Sequence, residues 1–153
     1  MERAIGIELR KLSNLSCRYF EQRTNKKEVE VLTGTNGWII GYIAGREAKG
    51  EAVYQRDLEA RFGITRSTAS KVVSLMVQKG FILQQGVPED RRLRRLVLTE
   101  KAAQVTRLME EDQQNFESTL RQGFTDAELQ TLFALLDRLQ GNLKKLDDKE
   151  IAL

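Results

Sequence analysis

The sequence predicts a mainly α chain with one small β-hairpin, and three observations carry that reading. Apolar residues recur at helical spacing over most of the 153 residues. The one proline, Pro88, falls in a short stretch between two strand-like runs. A basic central third separates long amphipathic segments at the two ends.

In chain order, residues 3–24 set Ile5, Leu9, Leu12, Leu15 and Tyr19 or Phe20 on one stripe. That makes a helix of about six turns. Leu32-Thr33 opens a second helix carrying Trp38, Ile39, Ile40, Tyr42 and Ile43, weakened in propensity by Gly34, Gly37 and Gly41 and ended by Gly50. Gln55 to Phe62 forms a short helix that closes at Gly63, a residue free to take the left-handed conformation. Tyr54, just before that helix, has no short side-chain oxygen to cap it. Thr65 caps the next helix. One of its faces holds Ala69, Val72, Val73, Met76 and Val77, the other Arg66, Ser67, Ser70, Lys71 and Ser74, and Gly80 stops it. Two helices joined by a short glycine-containing turn form a helix-turn-helix.

Residues 81–86 and 93–98 read as two short strands, with a turn over Val87 to Arg92. The tip and return strand carry Arg91, Arg92, Arg94 and Arg95. A helix-turn-helix followed by a basic hairpin is a winged helix. Thr99 caps a helix to about Leu120, with Val105, Met109, Phe116 and Leu120 on a stripe that Asp112 interrupts. Thr125-Asp126-Ala127-Glu128 is a capping box. Beyond it Leu129, Leu132, Leu136, Leu139, Leu143 and Leu146 alternate three and four apart, a seam that wants a partner helix. The expected architecture is one chain, 1–153, with a winged-helix lobe at 50–99. Long terminal helices at 1–30 and 110–153 make a dimer bundle through Ile5, Leu9, Leu132, Leu136, Leu139 and Leu143.

Composition excludes several functions. Without histidine there is no imidazole base, no Ser-His or Cys-His pair, and no use of the commonest metal ligand. The lone Cys17 cannot make an internal disulfide or a thiolate cage. No apolar run approaches the ~18 residues needed to cross a bilayer. Met1-Glu2-Arg3-Ala4 leads into an amphipathic stretch rather than a signal peptide. The expectation is a cytoplasmic protein, not an enzyme, without cofactor, metal or membrane partner.

Charge points to a polyanion. Residues 1–54 carry a net +2, residues 55–107 a net +6, and residues 108–153 a net −5. An α-helix fits the major groove of B-form DNA, and polar or cationic side chains near its N-terminus reach base edges. Arg66, Ser67, Thr68, Ser70 and Lys71 occupy those turns, with Gln55 at the start of the preceding helix. Arg91, Arg92 and Arg94 suit phosphates or the adjacent minor groove. Double-stranded DNA is therefore the expected partner. The alternative, a winged helix that binds protein and no specific DNA, predicts neutral or acidic faces, and the arginines count against it. An enzyme using Asp90 or Lys71 finds no catalytic spacing, and an RNA reader would need aromatic groups on the face.

Asp90-Arg91-Arg92 followed by Leu98-Thr99 resembles the wing and helix start of the MarR family of bacterial transcription regulators. Asp57-Leu58-Glu59-Ala60, Ile64 to Ser70, Lys79-Gly80-Phe81-Ile82 and Leu32-Thr33 ahead of Ile39-Ile40 fit the same pattern in order and spacing. The resemblance implies a homodimer, usually a repressor, that binds a pseudo-palindromic operator and often releases it on binding a small aromatic or lipophilic effector. By the same resemblance Asp90 braces the wing by pairing with an arginine, and Arg92 reaches the minor groove. Ser67, Thr68, Ser70 and Lys71 face the major groove, while Trp38 and Tyr42 are candidates to line an effector pocket. Gln84-Gln85 and Ala102 depart from the family pattern. Cys17 lies closer to Leu32-Thr33 than in the peroxide-sensing members and reads as an inert thiol. The lack of histidine argues against the zinc-responsive branches.

Overall fold

The computed structural model describes residues 3–23 and 35–151. The chain divides into two units, Met1–Gln113 and Gln114–Leu153. In the first lie α1 (Ile5–Arg23), α2 (Thr35–Ala48), β1 (Val53–Tyr54), α3 (Gln55–Phe62), α4 (Arg66–Gln78), β2 (Ile82–Val87) and β3 (Asp90–Leu98). α5 (Glu100–Arg121) begins in the first unit and runs into the second, which holds α6 (Asp126–Ile151). The expected start of the second helix at Leu32-Thr33 lies outside the described residues.

The core of the first unit gathers Ile39, Ile40 and Ile43 of α2, Leu58 of α3, Val73 and Met76 of α4, and Phe81, Ile82 and Leu96 at the sheet. Ala102, Val105 and Met109 close it from α5. Burial explains why α2 is helical despite its glycines. Each glycine costs about 1 kcal/mol of propensity, whereas each fully buried isoleucine contributes about 1.5–3 kcal/mol. The glycines also admit a neighbour. Gln113 Nε2 of α5 donates to the Gly37 carbonyl at 3.2 Å. A Cβ at Gly41 would stand 2.9 Å from Gln113 Oε1.

The sheet has three strands in the order β1-β3-β2, one more than the sequence predicts. β1 is only two residues and exists by pairing Val53 with Leu96 and Tyr54 with Arg95. β2 and β3 pair antiparallel from Ile82 opposite Leu98 to Gly86 opposite Arg94. There the register slips, and Val87 pairs with Asp90. The return strand thus starts at Asp90, earlier than the expected 93, and the turn shrinks to Pro88 and Glu89.

α3 starts where no capping hydroxyl was available: the Asp57 carboxylate accepts the Tyr54 N–H at 2.8 Å, so a side chain three residues on satisfies the helix entrance. Gly63 at φ +60° ends α3 as expected. The Tyr19 hydroxyl lies 3.5 Å from the backbone oxygen of Asp112, the residue that breaks the stripe of α5. Phe20 is the buried residue of α1 and meets Trp38 edge-on at 5.7 Å. The rest of the α1 stripe stays open, with Ile5, Leu12 and Leu15 all more than half exposed and Leu9 exposed as well.

In the second unit the predicted capping box is formed. Glu128 accepts the Thr125 N–H at 2.8 Å and its hydroxyl at 3.1 Å. The Thr125 hydroxyl in turn accepts the Glu128 N–H at 3.3 Å. Leu129 is buried and Leu136 and Leu139 are half-buried, while Leu132, Leu143 and Leu146 are exposed.

The Thr125 N–H chiefly, and then its hydroxyl, hold the Glu128 carboxyl below the usual carboxylate range. A carboxyl depressed in the folded state stabilises the fold above its unfolded pKa and loses that contribution as pH falls through its folded pKa. Glu128→Ala should therefore lower the melting temperature at pH 7 and lower it much less near pH 3. Thermal melts of both proteins at the two pH values check this; an equal loss at both would remove the ionised box.

Candidate nucleic-acid interface

α4 is set by its two ends and by its buried stripe. Thr65 caps it: its hydroxyl oxygen accepts the Thr68 N–H at 3.1 Å and donates to Thr68 Oγ1 at 3.0 Å. Ala69, Val73 and Met76 are buried, Val72 is half-buried, and Val77 is exposed, so the apolar face is narrower than the sequence suggests. On the other side Arg66, Ser67, Thr68, Ser70, Lys71 and Ser74 are all exposed, as the spacing predicts. The first turn of α4 carries no acidic residue. Its unsatisfied amides and the positive end of the helix dipole thus add to Arg66 and Lys71.

The hairpin supplies the second part. Arg91, Arg92 and Arg94 are exposed, whereas Arg95, paired with Tyr54 and Gln85 on the other face, is half-buried. The expected Asp90–arginine pair is absent. Asp90 Oδ1 instead accepts the N–H of Arg92 at 2.9 Å, and no ion pair joins it to an arginine among the described residues. A short carboxylate reaches a backbone amide two residues on more readily than a long, solvated side chain. The brace is therefore a turn bond. Arg94 donates to the carbonyl of Arg91 at 3.2 Å, which holds its guanidinium along the wing.

Between the wing and the helix-turn-helix runs a cleft of about 330 Å³. Its walls include Tyr54, Gln55, Arg56, Glu59, Arg66, Gln84, Arg92 and Arg94. Four arginines and one glutamate thus line the cleft, which gives it a net positive charge. Gln55, an expected contact, has a structural partner of its own. It is half-buried and its Nε2 donates to the Arg66 carbonyl at 3.3 Å, tying the start of α3 to the start of α4. Arg56 is not among the site residues expected from the sequence, and Gln84 entered there only as a departure from the family pattern. Arg56 stacks over the Tyr54 ring at 5.2 Å, and its place in the basic central third was the available signal.

The remaining expected site residues lie elsewhere. Trp38 packs on Phe20 and Tyr42 on Phe62 at 5.9 Å, so the two rings face different partners. Cys17 is exposed on α1. Ile5 and Leu9 stand exposed on α1, apart from this surface in the fold. No described helix is long and apolar enough to cross a membrane.

Helix-turn-helix, cleft and basic hairpin define a winged helix-turn-helix protein. Comparison with known proteins places it further. A model of the MarR family matches residues 32–93. The chain is 30% identical to the transcription regulator MarR from Oenococcus oeni PSU-1, over 90% of this chain and 99% of that one, at a TM-score of 0.77. It is 24% identical over 143 residues to YybA of Bacillus subtilis (strain 168), an uncharacterized HTH-type transcriptional regulator, covering 94% and 88% of the two chains. It shares its fold with S. aureus MepR in a DNA complex at a TM-score of 0.74 and 20% identity, covering 92% and 99%. The chain belongs to the MarR family of transcription regulators and is not an enzyme.

Proposed function

We propose that the chain is a homodimeric, sequence-specific DNA-binding repressor. Each α4 enters a major groove, and each wing reaches the neighbouring backbone and minor groove. One observation carries this reading: Arg66, Ser67, Ser70 and Lys71 on α4 and Arg92 and Arg94 on the wing are all exposed, and Arg66, Arg92 and Arg94 line one cleft. Ser67, Thr68 and Ser70 are short enough to meet base edges, while the arginines favour guanine edges and phosphates. A complex of MepR with DNA on the same fold supports the assignment. The second copy follows from the uncovered stripes, Ile5, Leu9, Leu12 and Leu15 on α1 and Leu132, Leu143 and Leu146 on α6. Apolar rows of that length on a soluble chain mark an interface.

Selection of bound duplexes from a random DNA pool tests the function. Recovery of an inverted repeat with half-sites about 10 base pairs apart, centre to centre, is expected. If weak salt-sensitive binding enriches no sequence, the surface is only a general anion face and a protein partner replaces DNA. Arg92→Ala should weaken binding to the selected duplex and reduce the slope of log affinity against log salt by about one. An unchanged slope and affinity would take Arg92 out of the interface. Leu136→Asp places a charge in the half-buried middle of the seam. It should shift sedimentation from dimer to monomer and cost operator affinity. A dimer that sediments as wild type would exclude the seam from the interface.

A further inference from the structure

We propose that Thr99 and Lys101 position the recognition helix by tying the two carbonyls just past the end of α4 to the start of α5. The inference rests on the DNA-binding reading above and adds two residues that touch no DNA.

The end of α4 is closed in the Schellman manner. The Gly80 N–H donates to the Val77 carbonyl at 3.1 Å and the Phe81 N–H to the Met76 carbonyl at 2.9 Å, with Gly80 at φ +80°. That closure leaves the carbonyls of Lys79 and Gly80 pointing past the helix. α5 takes both. Thr99 Oγ1 donates to the Gly80 carbonyl at 2.6 Å, and Lys101 Nζ donates to the Lys79 carbonyl at 3.0 Å. The Thr99 N–H donates to the Phe81 carbonyl at 3.0 Å. Lys101 also stands 4.7 Å from the Phe81 ring centroid, over a side chain that is fully buried against Met76 and Leu96.

Thr99 does more here than cap a helix. Its oxygen accepts the Ala102 N–H at 3.2 Å, the ordinary capping bond of α5, while its proton goes to Gly80. Asparagine or aspartate serves the first role, but a carboxylate has no proton for the second. The leverage is large. α4 has 13 residues, so it is about 20 Å long, and a tilt of about 5° at its far end moves the first turn by about 2 Å. Base-edge hydrogen bonds tolerate only a few tenths of an ångström. At its other end the tie found to α3 is the Gln55 bond to Arg66.

The test uses the full chain with Thr99→Val, Thr99→Ser and Lys101→Met. Affinity for the selected duplex is measured against salt, and amide exchange of the free proteins is followed along α4. Thr99→Val should bind about five- to tenfold more weakly with an unchanged salt slope, since one or two hydrogen bonds are lost and no phosphate contact is. Thr99→Ser should restore wild-type affinity, and Lys101→Met should weaken binding severalfold. Exchange over residues 75–81 should rise in Thr99→Val while that of Ile39 to Ile43 stays unchanged. Wild-type affinity in both Thr99→Val and Lys101→Met, or a fall in slope by one, or failure of serine to rescue, would overturn the proposal. Should the wild-type chain select no duplex, the DNA reading fails, and exchange alone decides: unaltered α4 amides overturn the tie, faster ones uphold it.

Discussion

Burial of Ala69, Val73 and Met76 sets the rotation of α4 about its own axis, and the chemistry of its exposed face follows from that setting. Val73 and Met76 meet Leu58, Phe81 and Leu96 in the core, each contributing about 1.5–3 kcal/mol by leaving water. Polar contacts on the exposed side are worth about 1 kcal/mol or less apiece. The core therefore decides which way the helix faces. Arg66, Ser67, Ser70 and Lys71 are presented to solvent because the residues between them are held. Nothing on that face needs to be stable for its own sake, which leaves its side chains free for a ligand.

The wing extends the same logic. Leu96 is buried, and on the sheet face it shares with Gln84 and Arg94 the surface turns from apolar to cationic within one residue pair. The cleft is the core's own margin, opened toward water and lined with guanidinium groups. Gathering Arg56, Arg66, Arg92 and Arg94 around one carboxylate costs self-repulsion in the free protein. On the proposed reading, a phosphodiester bound there would relieve that repulsion and release counterions. Asp90 pairs with none of these arginines among the described residues, so their charge stays on the surface. Asp90 instead satisfies a backbone amide and stiffens the turn.

Features encoded within a few residues were legible in the sequence. Gly63, Thr65 and the Thr125–Glu128 box each act on backbone groups no more than four positions away, and each does in the structure what its residue type predicts. Features that depend on distant chain were not. β1 is too short for any periodicity and exists because β3 lies beside it. The glycines of α2 look like helix breakers until Gln113 of α5 is placed against Gly37 and Gly41. Asp57 replaced the missing cap before α3, a local device hidden by expecting the cap on Tyr54 itself. Among the site residues, α4 and the wing were readable from spacing and charge. Arg56 joins the cleft only when the wing lies beside α3, and the Gln55 bond forms only when the start of α4 is placed beside α3.

The terminal helices bring the energetic argument to the second copy. α1 has 19 residues and buries Phe20, and α6 has 26 residues with Leu129 as its buried hydrophobic among the described side chains. Ordering a backbone costs about 1–2 kcal/mol per residue. Helical hydrogen bonding recovers part of that, but amphipathic helices in proteins owe most of their stability to a covered apolar face. Along α1, Ile5, Ile7, Leu12 and Leu15 remain more than half exposed, as do Leu143 and Leu146 on α6. Covering such side chains yields about 25 cal/mol for each Å² removed from water, and the leucines of α6 repeat at the interval that a partner helix reads. In the proposed dimer a two-fold copy would supply that cover and, in the same step, a second recognition helix. Each half-site contact would then be made twice within one complex, so the cover that stabilises the helices would also turn a weak DNA anchor into a selective one.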